Sequence, residues 1–416
     1  MNSEPSPRAA ELLDRVRAFI AEEIAPVEER YHADVAALRT GGGDPWTPLP
    51  LLSELRDKAK AAGLWNLFLP AEHAGDYAAR FGTDGGLGLT NVDYAPIAEE
   101  TGRSELAPYA FNCNAPDTGN MEVLLRYGTA EQRERWLEPL LAGSIQSAFA
   151  MTEPGVASSD ATNMAATAIP DGDDIVINGR KWWTTGIGHP DCELLIFMGV
   201  SDPEAPRRSR HTMVLVPRTT PGVVVERLLP AMGRFDEPFG HGEVSFTDVR
   251  VPAANVLLGP GRAFEIAQGR LGPGRVHHCM RLIGLAEMAL ELACRRGRER
   301  RAFGKPLIDL GGNKERVAKA RIAIDTARLL VLNAAWKLDT VGPGGSLGEV
   351  SQIKSHVPAV VQEIVDFAMQ IHGGGGLSDD FPLAGAWSLA RQLRLADGPD
   401  EVHLGVISRL ELGKYV

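Results

Sequence analysis

A chain of 416 residues, 44% hydrophobic and 23% charged, has ordinary globular proportions and the length for roughly two to three structural units with a substantial core. No apolar run approaches the length of a membrane span, and a formal net charge of −11 weighs against broad contact with a nucleic-acid backbone, so neither a membrane nor a nucleic acid is an expected partner. Four scattered cysteines (Cys113, Cys192, Cys279, Cys294) make no Cys-x-x-Cys pair, and MNSEPSPRAAELLDRVRAFI enters a charged helical pattern without an apolar leader; a reduced, cytoplasmic protein without a metal site is expected.

Residues 1–147 read as all-α. Leu12, Val16, Phe19 and Ile20 follow the i, i+4, i+7, i+8 spacing of one buried face, on a helix that Pro26 is expected to close. Further helices are expected over 50–62, 91–104 and 117–142, divided by turn-rich stretches at 41–50 (GGGDPWTPLP) and 73–88 (HAGDYAARFGTDGGLG). Between 148 and 255 the period shortens, and DIVINGRKWWTT, ELLIFMGVS, HTMVLVP, GVVVERL and GEVSFTDVRV read as strands of a small antiparallel β-domain. Asn178-Gly179 is expected to be a hairpin turn, because both central positions of a type I′ turn need positive φ. Over 256–416 long helices return, at 276–297, 314–339, 349–371 and 401–413. The run MRLIGLAEMALELA (280–293) is apolar on most of its circumference, which requires cover from other helices or another subunit and predicts a bundle with oligomer contacts. GPGG at 342–345 reads as a loop of that bundle.

Five stretches carry residues suited to chemistry. Phe149-Ala-Met-Thr-Glu-Pro-Gly-Val-Ala-Ser-Ser-Asp160 is a polar turn with capping residues at the entry to the β-domain. Lys181-Trp182-Trp183-Thr184-Thr185-Gly186 sets two indoles side by side on a strand, where alternation sends one to the core and leaves the other needing a flat partner. Arg300-Arg301-Ala302-Phe303-Gly304-Lys305-Pro306-Leu307 follows a long helix as a charged-then-apolar exit, where an exposed arginine pair is ordinarily just solvated. Gln370-Ile371-His372 runs into Gly373-Gly374-Gly375-Gly376; one glycine would be a helix cap, whereas four in a row let backbone pass close to another group. Leu395-Ala396-Asp397-Gly398-Pro399-Asp400-Glu401-Val402-His403 places a carboxylate at what would otherwise be an Asp-Gly turn.

In this order and over nearly the whole chain, these stretches resemble the acyl-CoA dehydrogenases, a family built as an N-terminal helical domain, a β-domain and a C-terminal four-helix bundle. The corresponding boundaries are 1–147, 148–255 and 256–416. The resemblance implies that FAD is the cofactor. Phe149, Met151 and Thr152 would meet it with Trp183, Thr184 and Thr185, Trp183 covering the ring and Thr185 lying near N5, while Ser159 would contact the cofactor and the CoA arm. Arg300 and Phe303 would reach the FAD of a neighbouring subunit, so a homodimer or homotetramer is implied. Gln370 and Gly374 would hold FAD, and contacts from Pro399, Asp400 and Glu401 are implied although proline replaces the family's usual threonine.

The family's base lies some two dozen residues beyond the glycines, and gap-free counting from Gly373 reaches Asp397, one methylene shorter than the usual glutamate. Leu395 and Ala396 before it are apolar, and burial in a dry pocket would raise its pKa toward that of a useful base. Phe111–Glu122, Leu271–Arg281 and the ADGPDEVH ending are similar to the branch that holds mammalian members 10 and 11; the kinase-like domain of those members is not expected here. Within that branch Arg275 would lie near the CoA arm, Asn120 would line the acyl tunnel, and Gly398 would touch substrate. His277-His278 could equally be satisfied bundle histidines.

The implied reaction is α,β-dehydrogenation of an acyl-CoA of the fatty-acid β-oxidation kind. Asp397 takes the α-proton, the β-hydrogen leaves as hydride to flavin N5, and an electron-transferring flavoprotein reoxidises the cofactor. Three other readings share the fold: an acyl-CoA or nitroalkane oxidase, the latter also using an aspartate base; a DNA-associated alkylation-response protein, which would need a basic face; and a homologue that has lost FAD.

Overall fold

A computed structural model describes residues 4–82 and 88–415, apart from the side chain of Leu271. Its principal helices are α1 (Pro7–Phe19), α2 (Ala25–Gly41), α3 (Pro50–Ala61), α4 (Asp76–Phe81), α5 (Asn91–Thr101), α6 (Asp117–Tyr127), α7 (Ala263–Glu299), α8 (Asn313–Gly345), α9 (Leu347–His372), α10 (Leu383–Gln392) and α11 (Asp400–Leu412). The strands are β1 (Gln146–Ala150), β2 (Thr167–Asp171), β3 (Asp174–Thr185), β4 (Cys192–Val200), β5 (His211–Pro217), β6 (Val223–Leu228) and β7 (His241–Pro252). No helix among the described residues is long and apolar enough to cross a membrane. Two compact units form, each drawing on more than one region of the sequence.

The first unit comprises Met1–Ala25, Leu89–Pro108 and Gly272–Val416. Ser6 starts α1 by accepting the Ala9 N–H at 3.2 Å, with Pro7 at the first helical position where its missing N–H costs nothing. Leu12, Val16 and Phe19 are buried as their spacing requires. Pro26 does not close this helix: a π-helical turn at Ile20–Ile24 widens the ladder, and α2 resumes at Ala25 with the proline in its first turn. Over 280–293, Met280, Leu282, Ile283, Ala286, Ala289, Leu290 and Ala293 are buried within the single chain. Glycines permit the closest crossing, since a Cβ on Gly284 would stand 1.8 Å from the Glu99 carbonyl oxygen and one on Gly102 would stand 2.0 Å from that of Arg281. Beside it Arg328 forks onto Glu99 at 2.9 and 2.8 Å and reaches Glu287. The GPGG stretch is a sharp break at Gly342 (φ 68°), after which α9 starts at Leu347, and α10 is a helix that the sequence pattern did not single out.

The second unit comprises Pro26–Gly88 and Tyr109–Leu271. The expected helix over 117–142 breaks where Gly128 turns extended, and Thr129 and Gln132 form a capping box for a new turn. Its seven-stranded sheet runs β1-β4-β2-β3-β7-β6 with β5 added on β4. Apart from a single bridge between β2 and β4, the exception to antiparallel order is β1 beside β4, which are parallel. Ala148, Ala168, Ile177, Leu195, Phe197, Val214, Val244, Phe246 and Val249 interdigitate as its core.

Asn178-Gly179 is not a hairpin turn. The β2–β3 turn lies at Gly172 (φ 63°), and Asn178-Gly179 sits inside β3 at a bulge against β7. Gly179 is needed there because its φ is 143° and a Cβ would lie 2.4 Å from the Ala166 Cβ; Asn178 caps the bulge by pairing with the Asp248 main chain and carboxylate.

Candidate active site

The residues singled out in the sequence fall into two groups, one in each unit. In the second unit the residues after β1 lie along β3, where the Trp182 N–H donates to the Thr152 carbonyl at 2.9 Å. A buried pair locks this arrangement. The Lys181 ammonium donates to the Met151 carbonyl at 2.8 Å and to the Glu153 carboxylate at 2.7 Å, and that carboxylate also accepts the Ala165 and Ala166 N–H groups. Burial pulls the Lys181 pKa down to about 8, against the opposing pull of Glu153.

Register between β3 and β7 slips again between Lys181 and Thr184, so the two indoles do not alternate across the sheet as expected. Trp183 adopts φ 51°, its ring centroid lies 6.3 Å from that of Trp182, and it is 40% exposed. Thr185 pairs with His241 Nδ1 at 2.9 Å. Trp182 Nε1 and Thr184 Oγ1 are buried without a hydrogen-bond partner among the described residues. A 40%-exposed indole on the sheet surface suits a flat ligand, which is the shape of a flavin ring. Ser159 is exposed on the loop ahead of β2.

Phe149 lies under the Arg270 guanidinium, 4.0 Å from the ring centroid. Arg270 also donates to Asn120 Oδ1 at 3.1 Å, and Asn120 donates to Ser147 Oγ at 2.9 Å, so Asn120 is fully buried in a polar cluster. Asp117 accepts from Ser147 there, and burial raises its pKa to about 6. Burial likewise raises Glu122, on the same helix, to about 8.

In the first unit Asp397 sits on the turn between α10 and α11 with φ 57°, and Gly398 follows at φ 101°. The turn is tied down through its carbonyls. Arg275 Nε donates to the Asp397 carbonyl at 2.9 Å and His403 Nε2 lies 3.3 Å from it, while Lys354 reaches the carbonyls of Leu393 and Gly398. Arg275 and Lys354 are buried, and burial lowers the pKa of each. Leu395 and Ala396, the apolar residues expected to bury the aspartate, are themselves exposed, whereas the Asp397 side chain is 19% exposed. Pro399 starts α11, Asp400 accepts from Arg394 at 2.8 Å, and Glu401 is exposed in the first helical turn.

Gly373 ends α9 at φ 62°, and Gly376 must lack a Cβ because one would stand 2.5 Å from the Met369 carbonyl. At Gly374 a Cβ would meet nothing within 4 Å, so packing within the chain does not explain that glycine. Gln370 is exposed, as are Arg300 and Phe303 on the tight turn after α7; Phe303, at φ 50°, leaves 94% of its surface open.

Sequence reasoning missed Lys181, Lys354, His403 and the pairing of His278 with Asp397. A buried lysine has no local signature, since its partners lie 28 to 44 residues away along the chain.

Family models for acyl-CoA dehydrogenases match in chain order: the N-terminal domain over residues 6–144, the middle domain over 148–249 and the C-terminal domain over 261–412. The chain belongs to the acyl-CoA dehydrogenase family and has its three-part fold. It is 51% identical to mouse acyl-CoA dehydrogenase family member 10 over 98% of its length and 37% of the relative's. Against mouse family member 11 the identity is 48%, over 98% of this chain and 51% of the relative. The chain thus spans about half or less of these curated relatives. A solved Mycobacterium abscessus structure described as an acyl-CoA dehydrogenase is 63% identical with a TM-score of 0.94, covering 99% of this chain and 100% of that one.

Proposed function

We propose that this chain converts an acyl-CoA thioester to the trans-2-enoyl-CoA with Asp397 as the base, and that the electrons pass on to an electron-transferring flavoprotein. The observation that carries this reading is the Asp397 turn: a carboxylate in left-handed backbone, held through its carbonyls by a buried arginine and a buried lysine. Strain of that kind persists where surroundings over-determine it, and sites of chemistry are where it clusters.

FAD, when bound, supplies the acceptor for the β-hydrogen. Met151, Thr152, Trp183, Thr184 and Thr185 are the residues that would hold it, joined by Gln370 and Gly374 and by Arg300 and Phe303 from a second copy of the chain. Asp397 takes the α-proton and becomes a neutral acid. Its own backbone N–H is the donor that would meet the thioester oxygen as enolate charge develops.

Exposed Phe303, Ile322, Leu329, Leu404 and Leu412 on the first unit support a homo-oligomer, either dimer or tetramer. The test is a panel of acyl-CoA thioesters added anaerobically to the yellow holoenzyme. Bleaching of the visible flavin band by one or more members is expected, and no bleaching by any would overturn the reading. Oxygen uptake without an artificial acceptor would replace dehydrogenase by oxidase.

A further inference from the structure

His278 lies on α7 one turn beyond Arg275, and its Nε2 stands 3.6 Å from Asp397 Oδ2. That is an ion-pair distance just beyond hydrogen-bond length, and catalytic contacts of this kind commonly tighten when substrate binds. The two side chains are buried to the same depth, 21% and 19% exposed.

Arg281, a further turn along the same face, fixes the direction of this contact. Its Nη2 is 3.2 Å from His278 Nδ1. A guanidinium only donates, so Nδ1 must accept, and the proton of the neutral ring is on Nε2, facing the carboxylate. Arg275, His278 and Arg281 recur every third residue along one face of α7 and act in sequence. The first holds the Asp397 carbonyl, the second meets the carboxylate and the third sets the tautomer of the second.

The neighbouring ionisable groups have other hydrogen-bond or ring partners, and Arg275, Lys354 and His403 also feel the Asp397 charge. His277 packs edge-on against Tyr94 with centroids 5.0 Å apart, and burial drives its pKa down to about 3. His403 faces the Asp397 carbonyl and the Ser351 hydroxyl, its pKa pushed down to about 4 by burial and then by Arg275 and Lys354. Lys354 spends its donors on the carbonyls of the turn, Asp400 pairs with Arg394, and the Cys279 thiol is buried with its pKa raised to about 12 by burial.

We propose that His278 is a positioning residue for Asp397: its Nε2–H holds Oδ2, so that Oδ1 is presented to the α-hydrogen of the thioester. The proposal rests on Asp397 being the base. It balances without a proton passing through the imidazole. The α-C–H bond breaks, its electron pair stays with the thioester as developing enolate charge, its proton forms the Oδ1–H bond of the acid, and Oδ2 still accepts from Nε2–H. Because Nε2 already carries a proton, the ring clamps the carboxyl rather than relaying from it.

Two measurements decide it. In holoenzyme labelled with ¹³C-histidine, and with the His278 signal assigned through His278→Gln, the imidazole titration midpoint is expected to fall by about 1 unit in Asp397→Asn, because an adjacent carboxylate favours the imidazolium. An unchanged midpoint would overturn the pairing. In anaerobic flavin reduction by acyl-CoA, His278→Phe is expected to slow the rate ~10–100-fold with KM nearly constant, and His278→Gln, whose amide N–H reaches from the same place, to stay within ~5-fold of wild type. A Phe variant as fast as wild type, or a Gln variant no better than Phe, would overturn the proposal. Should wild type fail to be reduced by any acyl-CoA while the titration shift persists, the base assignment has failed and the His278–Asp397 pair is structural.

Discussion

Two non-glycine residues at the heart of this account, Asp397 and Trp183, share left-handed backbone, at φ 57° and 51°, yet they are held there by different means. Trp183 lies at a bulge in a long strand, with β7 alongside and the Lys181–Glu153 pair buried one step away. Asp397 lies on a turn outside any ladder, and its main chain is fixed by cationic and imidazole side chains from α7, α9 and α11. The sheet imposes its geometry cooperatively, whereas the turn depends on a few separable donors. Removing one donor from the turn therefore disturbs position before it disturbs folding; removing one partner of the sheet's ion pair does the reverse.

The largest expected effect follows from that contrast. Lys181→Met leaves Glu153 as an uncompensated buried charge and is expected to cost ~3–5 kcal/mol, read as a fall in the urea midpoint. A loss no greater than that of an exposed lysine would mean the pair does not hold the strand.

A second expectation concerns the pH dependence of stability, to which buried histidines of both units contribute on the acid side. His277 and His403 have folded pKa values depressed from 6.5 to about 3 and about 4, so the stability they contribute is present above pH 6.5 and is lost as pH falls toward those values. Glu122 in the other unit is raised from 4.5 to about 8, so its contribution is present below pH 4.5 and is lost as pH rises through 8. Each group adds a slope of at most ~1.4 kcal/mol per pH unit within its window. Melting temperature against pH should fall on both sides, and Glu122→Gln should flatten the alkaline side alone; an unaltered alkaline limb would contradict the assignment.

The smallest effect is of opposite sign. Asp397→Gly relieves a left-handed conformation and is expected to raise stability by ~0.5–1 kcal/mol while removing activity. Destabilisation would show that the carboxylate contributes more to the fold than the strain takes away.

Much of this was legible in the sequence because the signals were periodic. The apolar spacing over 349–371 yields α9, and the β-rich run DIVINGRKWWTT spans β3, with a strand bulge where a turn was expected. Register from the glycine run is what points to Asp397 as the proposed base. What escaped depends on contacts distant in sequence. Asn178-Gly179 has turn chemistry, but whether it closes a hairpin or bulges a strand is decided by the approach of Ala166 and the pairing with β7. The indoles obey alternation only where register is kept. Pro26 reads as a stop, yet α2 resumes at Ala25 after a π turn and carries the proline in its first turn. His278 was visible as one of an adjacent pair, but only the turn of α7 separates the ring facing Asp397 from the ring facing Tyr94.

The central claim is that Asp397 removes the α-proton, and Asp397→Asn tests it with the least change of shape. With full flavin occupancy and an acyl-CoA that bleaches the wild-type visible band, the variant is expected to bleach ~10³-fold more slowly or not at all. Bleaching at the wild-type rate would contradict the account and move the base elsewhere.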